Sequence, residues 1–434
     1  MKRELELRDD AFDDFAPLST AGDHDITHKY VLTCNLVDKT ELQCVDLSWN
    51  STGSMICAAF GRPDKFGWCD DSGIICCWSL FRGDFCPSKA THILEYASCF
   101  TVVTCHPTHP SLLAAGTFNG EILIYDLTST HDSLKASSDI DEYFHREPIT
   151  ALLWLHVPTS PGSKQGSYQL ASLSGDGKVL WWSLETIENA SREAGGCLPH
   201  PVGGLEIKGR VPIIGGTAMD FTQSAILVGS ESGLVLRCSH NNTIKPFPKL
   251  HHIFPSSCGP TTEYEPHVGP ITAIVCSPFH RHAFLSVGVD GTLCFRSILQ
   301  RLPLMSASRI SDNADRGCLP TGLYCADWSK FRPLVFAVAG DGGIVRIHDL
   351  GTAQPMIPVA ELETPPSKAA AINCVTRNRI LAVQFNPKQR DFLACGDSAG
   401  QVHIWKLSWS LANARTRERQ HLQACVVRHQ EANV

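Results

Sequence analysis

The chain has 434 residues, 43% hydrophobic and 19% charged, with a formal net charge of −7 and a pI near 6.2. That length exceeds one ordinary two-layer domain, so it holds two or three domains or one large repetitive assembly. The acidic balance argues against a broad nucleic-acid footprint, and no apolar run approaches the ~18–20 residues that a membrane helix needs.

Residues 1–40 form an acidic N-terminal segment, in which Asp and Glu outnumber Lys and Arg eight to three through Asp25. It reads as disordered or partner-bound, and MKRELELRDDAFDDF lacks the apolar stretch of a signal peptide. His24-Asp25-Ile26-Thr27-His28 has the spacing of a zinc-protease helix with Asp for Glu. Small and β-branched neighbours make a poor helix, so a solvated segment is expected instead. Next comes KYVLTCNL (29–36), an apolar strand pattern.

From residue 41 a pattern recurs seven times. Each unit has an apolar strand (a), a second strand (b) running into a tight turn, and a third, alternating strand (c). The third strands begin SGIICCWSL, NGEILIYDL, DGKVLWWSL, SGLVLRCSH, DGTLCFRSI, GGIVRIHDL and AGQVHIWKL. Their turn glycines are Gly73, Gly120, Gly177, Gly233, Gly291, Gly343 and Gly400, spaced 47 to 58 residues apart. Five residues after each stands Trp78, Tyr125, Trp182, Cys238, Arg296, His348 or Trp405, the slot that WD repeats usually fill with Trp. A fourth strand (d) is expected in the variable stretch that follows. A single four-stranded sheet cannot cover both its faces, whereas seven packed radially can. The expected fold is therefore all-β: a seven-bladed WD-repeat β-propeller over 41–409, followed by a C-terminal tail (410–434) with a short helix. Ring closure needs a strand from outside the triplets; 29–36 is the first candidate and HLQACVV in the tail the second. The connections Thr128–Glu147, Thr186–Pro212, Asn241–Gly269, Arg301–Gly322 and Thr352–Arg379 are expected to join strand d to the next strand a, elaborating the face that carries the b–c turns.

This repeat absorbs motifs that would otherwise suggest chemistry. GDSAG (396–400) matches the nucleophile elbow of serine hydrolases, but it is the b–c turn of the seventh unit, and the sequence places no base beside Ser398. SGDGK (174–178) lacks the spacing of a phosphate loop and reads as a hairpin turn. The nineteen cysteines include no C-x-x-C pair and lie mostly in apolar runs, as buried reduced thiols do; neither a catalytic residue, a cofactor nor a metal is expected. Two segments are candidates for partner binding. Phe66 and Trp68 sit in the expanded b–c loop of the first unit, either folded back on the blade or presented to a partner. His280, Arg281 and His282 lie between strands a and b of the fifth, either solvated or in contact with one.

Several repeats carry a more specific likeness. LSWNSTGSMICAAFG (47–61), AILVGSESGLVLRCS (225–239), HVGPITAIVCSPFHRHAFLSVGVDGTLCF (267–295) and CADWSKFRPLVFAVAGDGGIVRIHDL (325–350) resemble, in collinear order, the repeats of the cytoplasmic dynein 2 intermediate chain 2 family. The resemblance runs from Glu41 to Trp409. It implies a non-catalytic motor subunit whose propeller grips the dynein 2 heavy-chain tail and supports retrograde intraflagellar transport and cilium assembly. Implied partners are a second dynein 2 intermediate chain, dynein light chains and intraflagellar transport trains; implied locations are the cytoplasm, the ciliary axoneme, the basal body and the cytoskeleton. About forty residues precede the first repeat and no T-Q-T-like light-chain motif stands among them, which leaves light-chain binding the least supported of these. The rival reading is a generic WD-repeat adaptor, such as a ubiquitin-ligase substrate receptor or a peptide reader.

Overall fold

A computed structural model describes residues 25–432 apart from 66, 130–132, 139–143, 159–165, 184–195, 198–200, 208–213, 223–224, 240–250, 254–263, 309–321 and 366–377. Seven sheets, antiparallel through their first three strands, succeed one another along the chain. Their first strands are Gln43–Trp49, Phe100–Cys105, Ile149–Pro158, Gly216–Phe221, Ile271–Cys276, Leu323–Trp328 and Ile380–Phe385. Each touches the first strand of the next blade and the seventh touches the first, so they form a closed inner ring. The molecule is a seven-bladed β-propeller.

Burial follows position in the blade. Second strands such as Met55–Gly61 and Ala283–Gly288 are buried at every residue, because neighbouring blades cover both faces. The outer strand His92–Tyr96 alternates exposed and buried residues, as an element with one wet face should. The seven slot residues, Trp78 to Trp405, are all buried whether aromatic, thiol or cationic. Six of the seven turn glycines have φ between +67° and +89°, a region costly for other residues. Gly73 does not. A Cβ there would stand 2.5 Å from the Ser98 carbonyl oxygen, so close approach explains that glycine.

Every first strand carries a register shift against its partner at the same place, between Cys44 and Asp46 in blade 1 and between Ile380 and Ala382 in blade 7. Such a bulge adds local twist where seven strands converge. The extra residue is threonine in blades 2 to 5, and in blades 2, 3 and 5 its hydroxyl donates to the next blade: Thr101 to Ile149 O (2.6 Å), Thr150 to Gly216 O (2.9 Å) and Thr272 to Leu323 O (2.7 Å). The other four junctions use acceptors. Asp46 takes the Val103 N–H, Asp220 that of Cys276, Asp327 that of Phe385, and Gln384 that of Trp49. All seven blade junctions thus carry a side-chain-to-backbone clip.

The fourth strands correct the expected connections. Leu134–Ser137, Gly203–Ile207, Met305–Ser308 and Ala360–Glu363 lie inside stretches read as following strand d. Part of each insertion is therefore a c–d link on the opposite face. Two insertions also extend the preceding blade: Gly196–Cys197 pairs in parallel with Leu134–Ser137, and His251–Ile253 with Gly203–Ile207.

Both termini complete the ring. Strand Thr27–Leu32 pairs antiparallel with Val402–Lys406 as the fourth strand of blade 7. It starts earlier than 29–36, and helix α1 (Asn35–Thr40) occupies the remainder. At the other end α2 (Trp409–Ala412) and α3 (Glu418–Ala432) run back over blades 6 and 5. Leu411 joins the core between blades 6 and 7, and Leu422 and Val426 the core between blades 5 and 6. The tail expected at 410–434 thus packs as part of the disk, and HLQACVV is helical rather than a closing strand.

Candidate interface surfaces

The polar groups inside the blades make structural networks. In blade 3 the Trp182 Nε1–H donates to Ser172 Oγ at 2.9 Å, His145 Nε2 meets the same oxygen at 2.9 Å, and His145 Nδ1 faces Asp176 at 3.3 Å. Blade 5 repeats the set with His267, Ser286 and Asp290, where Arg296 Nε replaces the indole and donates to Ser286 at 2.8 Å. Burial lowers the His267 pKa, with Arg296 adding to it, so the ring is held neutral. Sequence reading missed these two histidines. The signal was present: both stand three residues before a proline that leads into strand a, as HREP and HVGP.

The same chemistry disposes of the catalytic-looking motifs. Ser398 Oγ accepts the Arg379 N–H at 3.0 Å, and its own N–H goes to Arg379 O. Asp397 beside it caps the turn through the N–H groups of Ala399 and Gln401. The buried His403 contacts Asp397 at 3.3 Å, and no described histidine hydrogen-bonds Ser398. In SGDGK, Asp176 accepts the Lys178 N–H at 3.0 Å, which is ordinary turn chemistry. His28 lies on the closing strand rather than a helix, packed against His403 and Trp405, and His24 lies outside the described residues.

The two predicted partner segments are far apart. Trp68 belongs to a b–c loop of blade 1 and is 64% exposed. It does not fold back, and it forms one wall of an open groove of about 650 Å³ with Phe118, Phe144 and Arg146 from blades 2 and 3. Phe66 lies outside the described residues. His280, Arg281 and His282 occupy an a–b turn of blade 5, at the opposite end of the strands and therefore on the other face. The His282 N–H donates to His280 Nδ1 at 3.3 Å, and partial burial lowers both histidine pKa values. Beside them the Arg419 guanidinium of α3 stacks over Phe279 at 5.6 Å, so the C-terminal helix occupies the neighbouring surface. The structure does not unite the two segments into one site.

No helix among the described residues is long and apolar enough to cross a membrane. Among the described residues no disulfide joins two cysteines, and most of the thiols are buried.

The fold is that of a WD-repeat-like propeller with elaborated faces. No protein-family profile matches the chain. Among known proteins it is 29% identical over 429 residues to the human cytoplasmic dynein 2 intermediate chain 2, covering 95% of this chain and 74% of that one. The mouse counterpart is also 29% identical, covering 94% and 73%. The cytoplasmic dynein 1 intermediate chain of Drosophila melanogaster is 24% identical, covering 79% and 45%. The chain is similar to dynein intermediate chains, and its likeness to cytoplasmic dynein 2 intermediate chain 2 extends over nearly its whole length.

Proposed function

We propose that this protein is a non-catalytic intermediate chain of a cytoplasmic dynein 2 motor, its propeller docking on the heavy-chain tail. The observation that carries the reading is collinear similarity across 95% of the chain to proteins of that name. A disk clipped at every junction suits a static grip on a folded partner. In this role it pairs with a second intermediate chain, associates with light chains, serves retrograde intraflagellar transport and cilium assembly, and resides in the cytoplasm and on the cytoskeleton of the axoneme and basal body. The b–c face with Trp68 is the preferred contact surface, with His280, Arg281 and His282 marking a second on the other face.

The test is size-exclusion chromatography with light scattering of this chain mixed with a dynein 2 heavy-chain tail fragment. One propeller per tail is expected, and Trp68→Ala should weaken the complex without unfolding the protein, since exposed substitutions usually change stability by under about 0.5 kcal/mol. Separate elution of two folded proteins, persisting after the second intermediate chain and light chains are added, would overturn the reading in favour of a generic adaptor.

A further inference from the structure

The groove beside Trp68 owes its shape to an insertion, residues 62–72, between the second and third strands of blade 1. Both of its stems are glycines pressed against the segment entering blade 2. A Cβ on Gly61 would stand 2.2 Å from the Phe100 carbonyl oxygen, and one on Gly73 2.6 Å from the Phe100 nitrogen. Those close approaches carry the loop over Ser98–Phe100 and bring Cys69 onto Cys99. Asn119, in the b–c turn of blade 2, then fixes Cys69 from the other side: its Nδ2 donates to Cys69 O and its Oδ1 accepts the Cys69 N–H, both at 2.9 Å. Cys69 and Cys99 are 1% and 0% exposed. Asp71 reaches back toward them from solvent, so that one ligand atom from each of the three residues lies within 4.8 Å of the other two.

We propose that Cys69, Asp71 and Cys99 form a binding site for a soft divalent cation, zinc being the natural occupant. Two thiols and a carboxylate are a zinc donor set, and Zn–S bonds of about 2.3 Å in a tetrahedron put two sulfurs about 3.8 Å apart, within reach of this cluster by small rotations. Three protein ligands leave the fourth position to water on the open Asp71 side, which is also the entry path. Binding replaces the two thiol protons with one metal ion and releases both protons to solvent. Lys65 now holds Asp71 Oδ2 at 2.6 Å and has to swing away when a cation arrives. It sits 38% exposed, so it has room to do so. The ion would tie the 62–72 loop of blade 1 to the entry of blade 2, stiffening the ridge that presents Trp68. This goes beyond the functional proposal and is independent of it.

The test uses the reduced full chain and cobalt(II) as probe. One cobalt per chain is expected, with a sulfur-to-metal charge-transfer band and the strong visible bands of tetrahedral coordination, both bleached by zinc. Cys69→Ser and Cys99→Ser should lose the charge-transfer intensity. Because those thiols are buried and the variants can misfold, Asp71→Asn supplies the second arm. Its side chain is half-exposed, so the fold should survive while cobalt affinity falls roughly tenfold or more. Zinc should also slow proteolysis within residues 62–72 of the wild-type protein. The proposal is overturned by absence of the tetrahedral spectrum in the reduced protein, or by Asp71→Asn binding cobalt as tightly as wild type. It is equally overturned by a spectrum unchanged in a folded Cys99→Ser protein, which would place the metal among other thiols.

Discussion

The N-terminal strand and the C-terminal helices hold the same ring by different physics. Thr27–Leu32 closes blade 7 through main-chain pairing with Val402–Lys406, and only Leu32 along it is fully buried. The tail depends on side chains. Arg332, 1% exposed, donates from Nη1 to Ser410 O at 2.5 Å and from Nη2 to Asp349 at 3.1 Å and to the Glu418 carboxylate. Glu418 opens α3, where a negative charge also faces the positive end of the helix. A backbone ladder is nearly indifferent to which residues make it. A buried ion set is not, because removing one member strands the others in a medium that cannot solvate them.

The largest effect should therefore come from the tail. Arg332→Ala is expected to destabilise the protein by about 3–5 kcal/mol, leaving Glu418 and Asp349 buried without their counter-ion. Urea unfolding monitored by tryptophan fluorescence measures it. Adding Glu418→Gln to Arg332→Met should recover part of that loss, since the uncompensated charge on α3 is then gone. If Arg332→Ala alone unfolds like wild type, the tail is a passive covering rather than a clasp.

Leu32→Ala sharpens the other half of the comparison. The range for a buried leucine is about 2–5 kcal/mol. The low end, about 2–3 kcal/mol, is expected because a terminal strand can shift to fill the space. Hydrogen exchange should show the loss confined to Thr27–Leu32 and Val402–Lys406; exchange rising evenly around all seven blades would mean that the N-terminal clasp controls the whole ring.

How far each device could be read in the sequence follows from the same distinction. The blades were legible because a glycine turn and an alternating strand repeat on a fixed local spacing, and local spacing is what a sequence displays. The closing strand was legible as an apolar run, although its boundaries moved toward the N-terminus because its partner, Val402–Lys406, sets the register. Arg332 was not. It sits in a loop, SKFRP, that reads as ordinary surface, and its partners lie 17 and 86 residues away. HLQACVV could be read two ways, as a spare closing strand or as part of a short tail helix, and tertiary packing of Leu422 and Val426 against blades 5 and 6 decides for the helix. The same limit applies to Cys69, Asp71 and Cys99, which no spacing rule connects because Cys99 belongs to the next blade's approach.

An effect that depends on pH separates both clasps from the clips between blades. Asp46 and Asp220 accept backbone N–H groups across a junction, and yet burial pushes their pKa values up to about 7 and about 6, from an ordinary 3.8. Desolvation outweighs the hydrogen bonds. The native state therefore holds a proton on Asp46 more tightly than the unfolded chain does. That contribution is fully present below about pH 4 and is lost as pH rises to about 7, at no more than about 1.4 kcal/mol per pH unit. Asp46→Asn keeps one acceptor and cannot ionise, so its stability relative to wild type should improve steadily across that window. Asp220→Asn should show the same trend ending nearer pH 6. Parallel stability curves for wild type and Asp46→Asn from pH 4 to 7 would mean that the carboxylate is already ionised in the folded ring, with the Val103 and Leu47 N–H groups solvating it fully. The clip between blades 1 and 2 would then be a charged contact of the same kind as the Arg332 clasp, and the contrast between the two would disappear.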